Sequence, residues 1–124
     1  MIYKTKGFVS LTKKESLSDD DLVLACREMT NGLYDADLGG NVYKKRISVG
    51  NKGKSGGYRT IVGAVMGDRY FFLYAFAKNA RSNINTKEKL ALKELAKEFL
   101  NFTPGELDQL VQDGELIIVG NQNE

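Results

Sequence analysis

The side chains that could do chemistry in this chain are mostly lysines and arginines, because its 124 residues include no histidine and only one cysteine. Without an imidazole, the common acid–base partner near neutral pH is missing. Nucleophile–histidine catalytic units and Cys/His zinc sites are excluded as well. Any catalysis must therefore use lysine, arginine, tyrosine or carboxylate groups, and we expect neither a metal nor a cofactor.

The cationic side chains are concentrated in the middle of the chain. The formal net charge is only +2, but residues 1–40 hold 5 basic and 7 acidic side chains, residues 41–97 hold 13 and 3, and residues 98–124 hold none and 6. Residues 42–59 contain no carboxylate and carry Lys44, Lys45, Arg46, Lys52, Lys54 and Arg59. Such a run is compatible with a solvated lysine-rich face, or with a site for an anion such as a polyphosphate backbone.

A glycine-rich stretch, residues 50–57, interrupts this basic segment. Its Gly53-Lys54-Ser55 ends like a phosphate-binding loop, but that motif needs a glycine where this chain has Ser48, and a helix directly afterwards. A strand is predicted to follow instead. We therefore favour a loop whose glycines allow the backbone to approach an anionic ligand closely. Lys52 and Lys54 would contact the same ligand through their flexible, positively charged side chains.

Three predicted strands position these cations. Residues 42–49, 58–66 and 70–77 are rich in β-branched and aromatic side chains, and Gly67-Asp68 predicts a two-residue hairpin turn between the last two. The start of the second strand then lies beside the end of the third. Arg59, Lys78, Arg81 and the basic loop are therefore expected to converge on one edge of the sheet. Alternatively, Lys78 and Arg81 only end a strand and face water.

The strand at 70–77 is apolar on both alternating faces, which predicts a central strand covered on both sides. The predicted faces are Tyr70, Phe72, Tyr74 and Phe76 on one side and Phe71, Leu73, Ala75 and Ala77 on the other.

Capping residues and helical periodicity predict the flanking helices. Ser18, Asn85 and Thr103 each precede an apolar pattern with helical spacing, and a short first helix is predicted near residues 8–15, packed by Phe8 and Leu11. Cys26 falls on the apolar stripe of its helix, which indicates a buried thiol without chemistry.

The elements together predict one domain over residues 1–124. A short strand is expected at residues 116–119 and a frayed tail at 120–124. The predicted fold class is α+β: a compact antiparallel β-sheet flanked by N-terminal and C-terminal helices. No apolar run has the length of a signal peptide or of a membrane span, about 20 residues. We therefore expect a soluble, cytoplasmic protein with no membrane partner.

The chemistry that fits a nuclease without histidine or metal ligands is in-line attack by a ribose 2′-hydroxyl on the adjacent phosphate. The products are a cyclic phosphate and a 5′-hydroxyl, and the substrate must be RNA because the 2′-hydroxyl is the nucleophile. Arg59 and Arg81 would neutralise the transition state, which carries more negative charge than the ground state. Lys54 and Lys78 are the candidates for proton transfer.

Four motifs occur in order along the chain: Asp37-Leu38-Gly39-Gly40, Lys44-Lys45-Arg46, residues 53–60 and residues 76–84. As a set they resemble the RelE/HigB-like toxins of bacterial type II toxin–antitoxin systems, in the RelE/ParE superfamily. The likeness extends from about residue 6 to residue 119. It implies an antiparallel sheet flanked by helices and ribosome-dependent cleavage of translated mRNA, with contacts to 16S rRNA.

The resemblance also implies site residues and partners. Carried over by motif, the catalytic set is Lys54, Arg59, Lys78 and Arg81, and the RNA-binding set is Lys44, Lys45, Arg46, Lys52, Tyr58 and Asn79. Relatives often have an acidic residue where this chain has Ala80, which would weaken activity if that carboxylate orients a catalytic cation. A cognate antitoxin would neutralise the toxin in the bacterial cytoplasm, and DNA would be contacted only through that antitoxin.

Two other functions remain open on the sequence. The basic edge could serve a non-catalytic RNA- or ribosome-binding module, which would use the same cations only for affinity. A small nucleotide-binding protein is the other alternative, and its triphosphate affinity would depend on Lys54.

Overall fold

The computed structural model describes residues 1–14, 17–48 and 57–120. Its elements are β1 (Ile2–Thr5), α1 (Lys6–Thr12), α2 (Asp19–Thr30), β2 (Ala36–Gly39), β3 (Val42–Ile47), β4 (Tyr58–Val65), β5 (Arg69–Ala77), α3 (Thr86–Asn101), α4 (Pro104–Gln112) and β6 (Leu116–Ile118). The strands form a six-stranded sheet in the order β2-β3-β4-β5-β1-β6. The predicted α+β class is confirmed. Within the described ranges, none of the helices is long and apolar enough to cross a membrane.

The sheet is antiparallel except at β1, which runs parallel to β5, with Ile2 beside Tyr70 and Lys4 beside Phe72. The predicted antiparallel sheet is thus confirmed, with this one parallel pair in addition. Neither β1 nor β2 was predicted, because both are four residues long and β2 contains the poor strand formers Asp37 and Gly39. β1 is a strand because β5 and β6 pair with it from both sides.

Two apolar layers cover the two faces of the sheet. On the α2 face, α1 and α2 contribute Phe8, Leu22 and Met29, which cluster with Val62 and Phe72. The predicted first helix is confirmed there, but Leu11 is 45% exposed and does not pack as expected. On the α3 face, the cluster comprises Tyr3, Val42, Ile61, Phe71, Leu73, Leu92, Ala96, Phe99, Leu107 and Leu116.

Cys26 lies inside the cluster on the α2 face and is 3% exposed. Burial raises the pKa of its thiol to about 12, so the thiolate is absent at neutral pH. The prediction of a buried thiol is confirmed.

A bulge in β5 changes which of its side chains face which helix. Ile61 pairs with Tyr74, but Val62 pairs with Phe72, so Leu73 is an extra residue in β5. A one-residue shift moves all later side chains to the opposite face. Leu73 and Tyr74 consequently both pack on the α3 face, and the predicted alternation of the β5 aromatic residues is wrong beyond Leu73.

The β4–β5 hairpin turns through Met66, Gly67 and Asp68, one residue more than predicted, and Val65 pairs with Arg69. Gly67 has a φ of +80°, which favours glycine, and the Asp68 N–H donates to the Val65 carbonyl at 2.9 Å. The register still brings the start of β4 beside the end of β5, as predicted.

The predicted helix starts are confirmed. Ser18, Asn85 and Thr103 each accept a hydrogen bond from the N–H three residues on, and in each case the acidic side chain at that position returns one. At the C-terminal end of the described residues, the Gly120 N–H donates to Asp19 Oδ2 in the first turn of α2, at 2.9 Å. The rest of the predicted tail, residues 121–124, lies outside the described residues.

Candidate active site

A row of three residues crosses β3, β4 and β5 on the α3 face. Arg46 pairs with Arg59, which in turn pairs with Phe76. Residues directly opposite in antiparallel strands have Cβ atoms about 4.5–5.5 Å apart, and like charges in such a pair destabilise the sheet. The fold therefore holds two arginines side by side at a cost in stability.

Asp35 offsets part of this repulsion. Arg59 Nη1 donates to Asp35 Oδ2 at 3.0 Å, and the Arg59 side chain is 18% exposed. Asp35 is itself fixed to the sheet, because its N–H donates to the Lys44 carbonyl at 2.8 Å. The ion pair thus orients the Arg59 guanidinium by one edge, and the other N–H groups of its fork can donate to a phosphate.

Arg81 is anchored more completely than Arg59. Its two Nη atoms donate to the two carboxylate oxygens of Glu88, with 3.0 Å between Nη1 and Oε2, and its Nε donates to the Asn83 carbonyl at 3.0 Å. Its Cζ lies 5.5 Å from the centroid of the Phe76 ring, in a cation–π contact. Phe76 is also the residue of β5 that pairs with Arg59 in the sheet.

Glu88 connects this arrangement to the first turn of α3. Its Oε1 accepts from the Asn85 N–H at 2.9 Å, and its Oε2 accepts from the Tyr74 hydroxyl at 3.3 Å. Hydrogen bonds from Arg81 and Asn85 lower the pKa of Glu88 to about 2. Burial, followed by the charge of Glu88, raises the pKa of Tyr74. At neutral pH Glu88 is therefore an ionised anchor for Arg81 and a weak base.

The segment after β5 supplies an exposed cation. Lys78, Asn79 and Ala80 are exposed, and the Lys78 N–H lies 3.4 Å from the Gly57 carbonyl oxygen. This contact confirms that Lys78 lies beside the residue that precedes β4, close to Arg59 in the sheet. Among residues 1–14, 17–48 and 57–120, no carboxylate lies within 4 Å of the Lys78 ammonium group.

Gly57 is the one residue of the glycine-rich stretch that lies within the described residues. A Cβ at this position would stand 2.9 Å from the Ile47 carbonyl oxygen, which is closer than real Cβ contacts allow. Glycine is thus required here for β3 and β4 to approach each other. Lys52 and Lys54 belong to residues 49–56, outside the described residues, and their roles stay predictions.

The fold does not bring two of the residues predicted to bind RNA, Lys45 and Tyr58, together with Arg46 and Arg59. Lys45 is 7% exposed on the α2 face, and its Nζ lies 2.9 Å from Glu28 Oε1. Tyr58 is 8% exposed and belongs to the apolar cluster on the same face. The alternation of β3 and β4 separates both from Arg46 and Arg59, because successive side chains point to opposite faces. Lys44, by contrast, is half-buried on the α3 face.

Sequence reasoning missed the acidic partners of the site. The helix start at Asn85 was predicted, but not that Glu88, which completes this cap, also binds Arg81. The sequence around Asp35 and Tyr74 contains no pattern that indicates a role in the site. The Asp35–Arg59 contact joins residues 24 positions apart, and the bulge at Leu73 decides the face on which Tyr74 lies.

The fold and site define a small α+β domain with a cationic face. The family model described as "RelE toxin of RelE / RelB toxin-antitoxin system" matches residues 1–119. The chain therefore belongs to the RelE toxin family, as a toxin of a toxin–antitoxin system whose partner is a RelB-type antitoxin. A search of curated proteins finds no match.

Proposed function

We propose that this toxin is an endoribonuclease that cleaves mRNA on the ribosome by in-line attack of a 2′-hydroxyl, without a metal ion. The observation that carries the proposal is that Arg59 pairs with Phe76 in the sheet, that Arg81 lies over the Phe76 ring, and that the exposed Lys78 follows the same strand. Three cations at one strand end suit a phosphate that gains negative charge during reaction.

Charge stabilisation is the role of the two arginines. Asp35 and Glu88 hold one edge of each guanidinium, so the arginines are oriented before RNA binds and need little reorganisation. Their remaining N–H groups would donate to the non-bridging phosphate oxygens. These bonds strengthen as the phosphorane-like transition state forms, and that difference accelerates the reaction.

Proton transfer is assigned to lysine. The 2′-hydroxyl must lose a proton as it attacks, and the departing 5′-oxygen must gain one. Glu88 is a poor base because its pKa is lowered and its oxygens are occupied by Arg81, Asn85 and Tyr74. Lys78 is exposed at the strand end, and Lys54 of the glycine-rich stretch is the second candidate.

Within the described part of the chain the cations form an open surface, which supports dependence on the ribosome. Arg46, Lys78, Asn79 and Ala80 are all exposed, so this part of the chain offers cations without enclosing a nucleotide. Arg46, Lys44 and Asn79 would bind the RNA on either side of the reacting phosphate. In-line attack also requires the 2′-hydroxyl and the leaving oxygen to be aligned, and an open surface supplies little of that alignment. The ribosome would hold the mRNA in the reactive geometry.

A non-catalytic RNA- or ribosome-binding module is the second candidate. It is favoured by the fact that both arginines already have carboxylate partners, which reduces the charge available for a transition state. Both candidates predict salt-sensitive RNA binding. They differ in whether RNA is cut.

The test is a translation reaction with full-length protein, in which mRNA is examined for new 5′-hydroxyl ends. Lys78→Ala and Arg59→Ala should each lower cleavage by at least tenfold. Arg27→Ala is the matched control, because Arg27 is an exposed arginine of α2, on the opposite face of the sheet. Lys78 is exposed, so its variant should unfold at the wild-type temperature. Wild-type cleavage by both site variants would overturn the proposal.

A further inference from the structure

We propose that a lysine track along α3, formed by Lys89, Lys93 and Lys97, is a second contact for RNA backbone, continuous with the candidate active site. The inference rests on the proposed function in taking RNA as the ligand. It assigns the three lysines to binding, outside the cleavage chemistry.

The track follows one flank of the helix. The three lysines recur every four residues, beside the apolar stripe of Leu92, Ala96 and Phe99 that packs on the sheet. Each step of four residues rises about 6 Å along a helix, so the track is about 12 Å long. A row of cations at this spacing is comparable with successive phosphates along a nucleic-acid strand.

The track begins at the candidate active site. Lys89 directly follows Glu88, which holds Arg81. The helix then runs over the sheet towards the start of β5, where Arg69 Nη2 donates to the Leu100 carbonyl at 3.2 Å. An RNA strand bound at Arg59 and Arg81 would therefore meet Lys89 first, and then Lys93 and Lys97, as it follows α3.

The far end of the track lies over the β2–β3 turn. Lys93 and Lys97 line a groove of about 320 Å³ with Gly40, Asn41, Glu94 and Asn101. Gly39 has a φ of +84°, and a Cβ there would stand 3.1 Å from Lys93 Nζ. A side chain at position 39 would displace the ammonium group. The Gly39-Gly40 pair of the Asp-Leu-Gly-Gly motif is thus compatible with Lys93 reaching over the turn.

The lysines of the track lack acidic partners. Over residues 1–14, 17–48 and 57–120, none of the three has a carboxylate within 4 Å, whereas Lys4, Lys6, Lys45, Arg59, Arg69 and Arg81 all do. Glu94 and Glu98 of the same helix form no ion pair with them. Neighbouring unpaired cations repel one another until an anion covers them.

The chemistry of the track favours RNA over a protein partner. Lysine is depleted in the buried centres of protein–protein interfaces, whereas interfaces with nucleic acid are strongly cationic and polar. The RNA backbone could come from the strand being cut or from a structured RNA of the ribosome. Both sources present the same ribose-phosphate chemistry, and the two can be separated experimentally.

The experiment measures affinity of the full-length protein for 2′-O-methylated RNA, which cannot be cut by 2′-hydroxyl attack. The probes are a short strand covering only the candidate active site, a longer strand, and an RNA duplex. Lys93→Gln/Lys97→Gln is compared with Lys13→Gln/Lys14→Gln. The control pair removes the same charge from exposed lysines at the end of α1, which packs on the other face of the sheet.

The track variant should bind the longer strand roughly tenfold more weakly than the control variant at low salt. Its plot of log affinity against log salt should also be less steep, by about 1.4 in slope, because two phosphate contacts are lost. If the two double variants bind the short strand equally, the track contacts the part of the cleaved RNA strand that lies beyond the candidate active site. A loss confined to the duplex would assign it to structured RNA. The inference is overturned if the two double variants bind every RNA equally. Because the probes are uncut, failure here would leave the cleavage proposal standing.

Discussion

At the scale of single residues, the site depends on carboxylates as much as on cations. Arg59 and Arg81 differ in how they are held: Asp35 binds one Nη of Arg59, whereas Glu88 and Asn83 bind three nitrogen atoms of Arg81. Arg59 therefore keeps more donors for a ligand, and Arg81 is the more rigid of the two. Arg59 is accordingly the leading candidate to bind the reacting phosphate, with Glu88 as the positioning residue for Arg81.

Replacing Glu88 by Gln should lower cleavage by disordering Arg81. A Gln side chain can still accept from the Asn85 N–H, so the helix cap survives, but the charge that fixes the guanidinium is lost. In a translation-coupled cleavage assay, kcat should fall by roughly tenfold and KM should change less. Glu98→Gln, an exposed site near the other end of α3, is the control. Equal kcat values for the two variants would contradict this role.

The low pKa of Glu88 also predicts a pH dependence of stability. The ordinary pKa of 4.5 applies to the unfolded chain, and the folded value is about 2. The stabilisation is therefore complete above pH 4.5 and is lost as the pH falls to about 2. The free energy of unfolding, measured with denaturant at several pH values, should decline over this window more in the wild-type protein than in Glu88→Gln. Parallel curves for the two proteins would refute the assignment.

At the scale of elements, local signals and long-range pairing contributed different parts of the fold. Capping residues and helical periodicity were sufficient for α2, α3 and α4, because both act within a few residues. β1 and the bulge at Leu73 depend on partners far along the chain, and no local pattern encodes them. The same division applies to the site: hairpin register predicted that Lys78 lies near Arg59, whereas strand alternation separates Lys45 from Lys44 and Arg46.

The position of α3 over the sheet depends on Gly63. A Cβ at Gly63 would stand 3.0 Å from the Ala96 Cβ, so Gly63→Ala should push the helix outwards and cost about 1–3 kcal/mol in the free energy of unfolding. Gly7→Ala is the control, since its added Cβ would meet only Thr5 Oγ1 at 3.8 Å. The double variant Gly63→Ala/Ala96→Gly should lose less than the sum of the two single variants in chemical denaturation. Additive losses would show that this contact does not set the helix position.

At the scale of the whole molecule, basic side chains that are concentrated in one segment of the sequence lie together on one face of the sheet. Among the described residues, the cations Arg46, Arg59 and Arg81 lie on the α3 face, which α3 covers with its own lysines. The buried Lys45 turns to the α2 face, where Glu28 neutralises it. The family and the basic edge could be predicted from sequence, because the motifs are local and the charge is countable. The ion pairs that orient the arginines could not be predicted, because they form only when distant segments meet.

The central claim is that the ribose 2′-hydroxyl next to the cut is the nucleophile. The most direct measurement uses a translated mRNA carrying a single 2′-deoxy nucleotide at the position cleaved by the full-length toxin. Cleavage at that position should disappear, while the unmodified mRNA yields 2′,3′-cyclic phosphate and 5′-hydroxyl ends. Continued cleavage of the deoxy-substituted position, or 5′-phosphate ends in the unmodified mRNA, would contradict the account.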